Sequence, residues 1–387
     1  MQTLLLLGST GSIGIQCLNI LREFPGRFQP IGLSAWKSWE QVVAVALEFN
    51  VPVVALADPD AAAAARAALP PGVRVLEGPD AATDMASSLD FDVALNGIVG
   101  AAGLGPSEAV LQRGKRLALA NKESLVIAGA LLMRLAKETG AELLPVDSEH
   151  CALAQCLGGE RLAEVRKVYL TASGGALRDL SLDELATVTP AIALAHPTWE
   201  MGPRITIGSA TLMNKALEVI EAAHLWGLEA DRIGVLIHRQ SVVHGMIEFQ
   251  DGALMAQLSP PDMRGPIHHA LSWPDRAETN LVGFDPVAFS NLTFEEPDHA
   301  RFPALSLGYR CVTEGGSAGA VLNAADEVAV EAFLDGRLPF HAIVPLVESV
   351  LDEHERWPGD TLPHLLEADR AARELAEARI QEHSIRP

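Results

Sequence analysis

At 387 residues, 49% of them hydrophobic, the chain is long enough for two or three domains with substantial cores. A net charge of −21 argues against a broad nucleic-acid or anionic-membrane surface, and no apolar run approaches the roughly 20 residues of a membrane span. The sequence enters a strand pattern at once, without a basic leader, and Cys17, Cys151, Cys156 and Cys311 lack metal or disulfide spacing, so a cytoplasmic protein is expected.

The first element is the apolar run Leu4 to Leu7, followed by Gly8-Ser-Thr-Gly11-Ser-Ile-Gly14 and a helix-like stretch, 15–21. A strand that turns through close glycines into a helix N-terminus is a phosphate cradle, because backbone N–H groups and the helix dipole both favour an anion. The spacing is G-x-x-G-x-x-G, not G-x-G-x-x-G, so the glycines alone leave a ligand-free turn open. The next strand, 28–34, ends without the acid that holds an NAD ribose; no acid follows until Glu40. It runs instead into Ser34-Ala-Trp36-Lys37-Ser38, where a hydroxyl and a cation suit a 2′-phosphate and favour NADP(H). A solvated Lys37 is the other reading.

Strand-like runs at 53–56, 92–96, 117–120 and 142–146 alternate with helical ones such as 60–69 and 124–139. That alternation predicts an α/β domain over residues 1–149, a Rossmann-like doubly wound parallel sheet. Asn121-Lys122-Glu123 and Asp147-Ser148-Glu149 then fall at carboxyl ends of strands, where such sheets bind ligands. Asp147 and Glu149, two apart in an extended strand end, are expected to project to one side.

Residues 150–275 read as a central α+β domain with strands at 165–171, 233–238, 242–249 and 253–258. The turn Ser173-Gly-Gly can offer N–H groups and a hydroxyl to a phosphate. His196-Pro-Thr-Trp199-Glu-Met-Gly202 suits a lid with an apolar underside, or a loop whose Trp packs into the core. A helix is expected over 209–226, with Ser209 near its start and Asn214, Lys215 and Glu218 on one face. Residues 276–299 read as a linker, and 300–387 as a C-terminal helical bundle with helices at 304–314, 318–334, 341–354 and 362–381. Asp147, Glu149 and Glu218 could converge on one hard cation, Mg²⁺ or Mn²⁺. Alternatively Glu218 pairs with Lys215 on a solvated face and Asp147 caps the following helix.

Six segments occur in order: Gly8 to Gly14, Leu-Ala-Asn-Lys-Glu-Ser-Leu-Val (119–126), Val-Asp-Ser-Glu-His (146–150), Ser-Gly-Gly (173–175), His-Pro-x-Trp-x-Met-Gly (196–202) and Ser-Ala-Thr-x-Met-Asn-Lys-x-Leu-Glu (209–218). Together they closely resemble the 1-deoxy-D-xylulose 5-phosphate reductoisomerase family, over essentially the whole chain. The resemblance implies a V-shaped homodimer that uses NADPH and Mg²⁺ or Mn²⁺ to rearrange and reduce that sugar phosphate to 2-C-methyl-D-erythritol 4-phosphate. It implies Thr10, Gly11, Ser12, Ile13, Lys37, Ser38, Asn121, Glu123 and Gly202 at the cofactor, and Asp147, Glu149 and Glu218 at the metal. Lys122, Ser148, Glu149, Ser173, His196, Ser209, Asn214, Lys215 and Glu218 would meet the substrate. Lys122, Glu149, His196, Trp199 and Lys215 carry the catalytic expectation. Trp36 stands where the family has glycine, Glu200 where the lid has serine, and Ala176-Leu177 where Pro-Phe is usual. The other readings are a different two-domain Rossmann oxidoreductase and a non-catalytic NADPH-binding protein.

Overall fold

The computed structural model describes every residue except Glu200, Val282, Phe284, Ala288, Arg386 and Pro387, and leaves aside the side chains of 383–385. The chain divides into two compact units: residues 1–124, 132–151 and 262–281 in the first, 125–131, 152–261 and 282–387 in the second.

The first unit carries seven parallel strands: β1 (Gln2–Leu7), β2 (Phe28–Ala35), β3 (Val53–Leu56), β4 (Arg74–Glu77), β5 (Val93–Asn96), β6 (Arg116–Leu119) and β7 (Leu143–Pro145). Their order is β4-β3-β2-β1-β5-β6-β7, so strand succession reverses between β1 and β5. β1 is the middle strand, and Leu4, Leu5, Leu6 and Leu7 are wholly buried there. Continuous apolar runs are what a strand covered on both faces needs. β4 was not expected. It is an edge strand, Arg-Val-Leu-Glu, with its two charged ends exposed, so it lacks a buried-strand pattern.

A correction concerns residues 262–281, of which 262–275 were expected in the central domain and 276–281 in the linker; they belong to the first unit. The helix Arg264–Ser272 buries Ile267, Ala270 and Leu271 in the core of the first unit, with Leu4, Leu18 and Val146. Arg264 reaches Glu23 at 3.1 Å, and Arg116 donates to the Trp273 carbonyl at 2.7 Å.

The second unit holds β8 (Val165–Ala172), β9 (Ile233–Ile237), β10 (Val243–Phe249) and β11 (Leu254–Leu258), in the order β11-β10-β8-β9. β8 runs parallel to β9 and antiparallel to β10. Residues 276–299 are not a plain linker: Ile237 and Glu295 exchange backbone bonds of 2.8 and 2.9 Å beside β9. The helix expected over 209–226 is two helices, Pro203–Thr211 and Met213–Trp226, broken at Leu212, whose φ is +61°. The helices Ala304–Glu314, Ala318–Leu334, Ile343–Glu353 and Leu362–Ile385 follow the predicted periodicity and belong to the same unit as this sheet.

Candidate active site

In the first unit, the glycine turn joins β1 to the helix Ser12–Glu23. Gly8 has φ +81°, and a Cβ there would lie 2.8 Å from the Gly97 backbone. At Gly14 a Cβ would lie 2.4 Å from the Gly8 carbonyl, whereas at Gly11 the nearest atom is 3.6 Å away. Gly8 and Gly14 are therefore glycines because backbone meets backbone. Gly11, at the helix start, is not required by the fold. Ser34 at the end of β2 fastens the turn: its Oγ accepts from Gly8 N–H at 3.0 Å and its carbonyl from Ser9 N–H at 2.8 Å. Thr10, Gly11 and Ile13 are half-buried and Ser12 is exposed, so the turn is open to a ligand.

Beyond β2, the Lys37 ammonium sits 5.0 Å from the centre of the Trp36 ring. Trp36 does not take the left-handed conformation that a glycine there would permit; among the described residues only Asn50, Leu212 and Ser241 do so without being glycine. Ser38 precedes the helix Trp39–Phe49, but its side chain makes no capping bond.

Asn121 is buried and caps the helix Lys122–Thr139, accepting from Ser124 N–H at 3.1 Å. Its amide donates to the carbonyls of Ile98 (2.7 Å) and Gly100 (2.9 Å) and to Glu123 Oε2 (2.9 Å). Glu123 Oε1 in turn accepts from Gly100 N–H at 3.1 Å. These two residues brace the loop after β5, at the strand reversal where an open sheet takes its ligand.

Lys122 and Asp147 form an ion pair with both side chains largely out of solvent. Glu149 is not in an extended strand end: β7 stops at Pro145 and Glu149 stands in the first turn of the helix Ser148–Cys156. The same-side argument from strand alternation therefore does not hold. Ser148 Oγ donates to Glu149 Oε2 at 2.6 Å, and the Asp147 carbonyl accepts from Cys151 N–H at 2.8 Å. His150 is fully buried with Nδ1 3.9 Å from Asp147 Oδ2.

In the second unit the end of β8 gathers several groups. Lys215 Nζ donates to the Thr171 carbonyl at 2.5 Å and pairs with Glu218, whose other oxygen accepts from Asn214 at 2.6 Å. Lys215 and Glu218 are 3% and 0% exposed, which overturns the solvated-face reading of this pair. A buried charge of either sign survives only with partners such as these. Two residues past β8, Ser173 Oγ lies 2.9 Å from His196 Nε2 and accepts from Gly175 N–H at 3.2 Å. Gly175 has φ +74°, and a Cβ there would come within 2.6 Å of the Ser209 carbonyl. The Ser-Gly-Gly turn thus rests on the backbone of Ser209. Ser209 lies in the last turn of the helix Pro203–Thr211, not at a helix start.

His196 Nδ1 accepts from Thr198 N–H (3.1 Å) and Trp199 N–H (2.9 Å), so the proton of the neutral ring is on Nε2, facing Ser173. Burial, and then the Arg178 guanidinium, push its pKa below the usual histidine value. Arg178 also donates to the Ser173 carbonyl at 2.6 Å. The Trp199 ring meets His244 edge-on at 6.2 Å, and His244 Nε2 lies 3.1 Å from the Ser259 carbonyl. Sequence reasoning missed Arg178 and His244; one follows a turn without a motif, the other lies inside strand alternation. Gly202 stands at the start of the helix Pro203–Thr211, while Glu200 falls outside the described residues.

A glycine turn of this form, at the central strand of a seven-stranded parallel sheet, defines a dinucleotide-binding oxidoreductase fold. Family models for 1-deoxy-D-xylulose 5-phosphate reductoisomerase match residues 4–129, its C-terminal domain 143–226, and a further DXP reductoisomerase C-terminal domain 258–375. The chain is 48% identical to the 1-deoxy-D-xylulose 5-phosphate reductoisomerase of an Anaeromyxobacter species, over 98% of this chain and 97% of that one. A solved structure of the Zymomonas mobilis reductoisomerase in complex with NADPH superposes with TM-score 0.91 at 41% identity, covering 98% of this chain and 99% of that one. A reductoisomerase solved with NADPH, fosmidomycin and magnesium superposes with TM-score 0.93 at 37% identity, covering 98% of each chain. The chain belongs to the 1-deoxy-D-xylulose 5-phosphate reductoisomerase family.

Proposed function

We propose that the protein is an NADPH- and divalent-metal-dependent enzyme that rearranges and reduces 1-deoxy-D-xylulose 5-phosphate to 2-C-methyl-D-erythritol 4-phosphate. The observation that carries this reading is the cluster at the end of β8, within a family member: Ser173 on neutral His196, and Lys215 and Asn214 on buried Glu218. In this reading Thr10, Gly11, Ser12, Ile13, Lys37, Ser38, Asn121, Glu123 and Gly202 serve the cofactor. Asp147, Glu149 and Glu218 are the proposed metal ligands. The donor set fits in its chemistry: carboxylate oxygens are hard ligands of the kind that Mg²⁺ or Mn²⁺ takes. When bound, the cation polarises a carbonyl and stabilises developing negative charge on oxygen.

The protein's own groups account for the rest. Ser173, Ser209, Asn214 and Lys215 supply hydroxyl, amide and ammonium donors for the phosphate, with Ser148 completing the substrate contacts. The Lys122 ammonium, paired with Asp147, serves in this reading as a donor to substrate oxygens. His196 stays neutral, holding its Nε2 proton toward Ser173 as a donor. Trp199, tied through its N–H to the same ring, covers the substrate and excludes water.

A homodimer is part of the proposal. Its support is the edge strand β11, which leaves Leu254, Met255 and Leu258 exposed at 57%, 41% and 39%. An apolar unpaired edge of this kind is a ready-made template for a second chain. Among the described residues no helix is long and apolar enough to cross a membrane. Cytoplasmic location remains part of the proposed reading.

The test is NADPH oxidation at 340 nm with 1-deoxy-D-xylulose 5-phosphate, in Mg²⁺ and then in EDTA. Oxidation that requires the metal is the expected result. A full rate in EDTA would point to another Rossmann oxidoreductase, and NADPH binding without turnover to a binding protein.

A further inference from the structure

Trp36 is 70% exposed, the most open aromatic side chain among the described residues. It is not on a loose loop. The Ala35 carbonyl accepts from Ala57 N–H at 3.2 Å and the Trp36 carbonyl from Asp58 N–H at 3.1 Å, so the chain beyond β3 holds it to the end of the sheet. Ser34, two residues earlier, is the group that fastens the glycine turn. The residue that fastens the pyrophosphate turn and the residue that carries the indole are thus two apart in the chain, roughly 7 Å along it. In this fold the ribose next to the adenine is recognised where β2 ends. The purine attached to that ribose must lie against whatever side chains stand there, and these are an open indole and an ammonium resting 5.0 Å from its centre.

We propose that Trp36 is the adenine platform of the cofactor site: its indole stacks on the purine while Lys37 leaves the indole face for the 2′-phosphate. A purine and an indole stack through their π-faces whichever purine is present, whereas a cation distinguishes only the phosphate. The two neighbours therefore divide the work, Trp36 giving affinity and Lys37 giving preference for NADPH over NADH. The inference rests on the NADPH reading above and deepens it.

Isothermal titration with adenosine 2′,5′-bisphosphate, NADPH and NADH tests it on the wild type, W36F, W36A and K37A, with no turnover needed. Trp36 is exposed, so thermal melts of both Trp36 variants should match the wild type. W36A should weaken all three ligands about tenfold, near the low end of a base–aromatic stack. W36F should stay within about threefold of wild type. The NADPH-to-NADH ratio should survive in W36A and collapse in K37A. Wild-type binding of the bisphosphate by W36A would overturn the proposal alone, as would a W36A loss confined to the 2′-phosphorylated ligands. A wild-type chain that binds none of the three would overturn the NADPH reading along with it.

Discussion

Two glycines of the first turn make opposite demands, and alanine separates them. At Gly14 a Cβ falls 2.4 to 2.6 Å from the Gly8 carbonyl and the Ser9 backbone, none of which can swing aside. Overpacking of this kind costs about 1–3 kcal/mol or more, against a gain of up to about 1 kcal/mol for alanine over glycine inside a helix. Gly14→Ala should therefore melt earlier despite the better helix former. At Gly11 the same atom meets the Gly8 carbonyl at 3.6 Å and the Gly97 carbonyl at 3.9 Å, ordinary contacts, and its φ of −79° suits any residue. Gly11→Ala should stay within about 0.5 kcal/mol of wild type in calorimetry. In the proposed cofactor site its methyl would stand where a pyrophosphate oxygen approaches the backbone. Losing one hydrogen bond to a charged group is worth about 1.5–3 kcal/mol, so NADPH should bind roughly ten- to a hundredfold more weakly in a fluorescence titration. A Gly11→Ala protein with wild-type NADPH affinity would refute the placement of the pyrophosphate. One that unfolds alongside Gly14→Ala would refute the steric reasoning.

Glu218→Gln and Asp147→Asn should each lower kcat by about a hundredfold or more, since a metal ion contributes several kcal/mol of charge stabilisation, while NADPH affinity is retained. Near-wild-type turnover in either would sink the ligand assignment. His224 packs against Gly129, and burial pushes its pKa down to about 4 from an ordinary 6.5. The unfolded chain takes up that proton first, so the stability it confers is whole above about pH 6.5 and is lost as pH falls toward about 4. Denaturant melts from pH 7 to 4 should show the decline, and His224→Gln should make it shallower. Met255→Asp on the exposed edge of β11 should yield a folded monomer in sedimentation; a persistent dimer would move the interface elsewhere.

Much of the fold was legible because apolar runs and glycine punctuation coincide with real boundaries. β3 over Val53–Leu56 and the helices Ala304–Glu314 and Ala318–Leu334 match their sequence periods to the residue. What escaped has physical causes. β4 offered no pattern because an edge strand need not be buried on both faces. The break at Leu212 was invisible because leucine there adopts φ +61° without the glycine that normally signals it. Glu149 was placed on a strand because Asp-Ser reads equally well as a strand end and as a helix entry. The burial of Lys215 with Glu218 could not be read from their spacing, which is the same on a solvated face.

The helix Arg264–Ser272 has a consequence for synthesis. More than a hundred residues separate it from β7, yet its Ile267 and Leu271 finish the core that β1 begins. A ribosome that has released the first 150 residues has delivered all seven strands and an unsealed apolar face. The nascent sheet must wait for residue 281 before that face is closed. A fragment cut at 150 would keep the glycine turn and lose its solubility, and grafting 262–281 back onto it should restore the solubility.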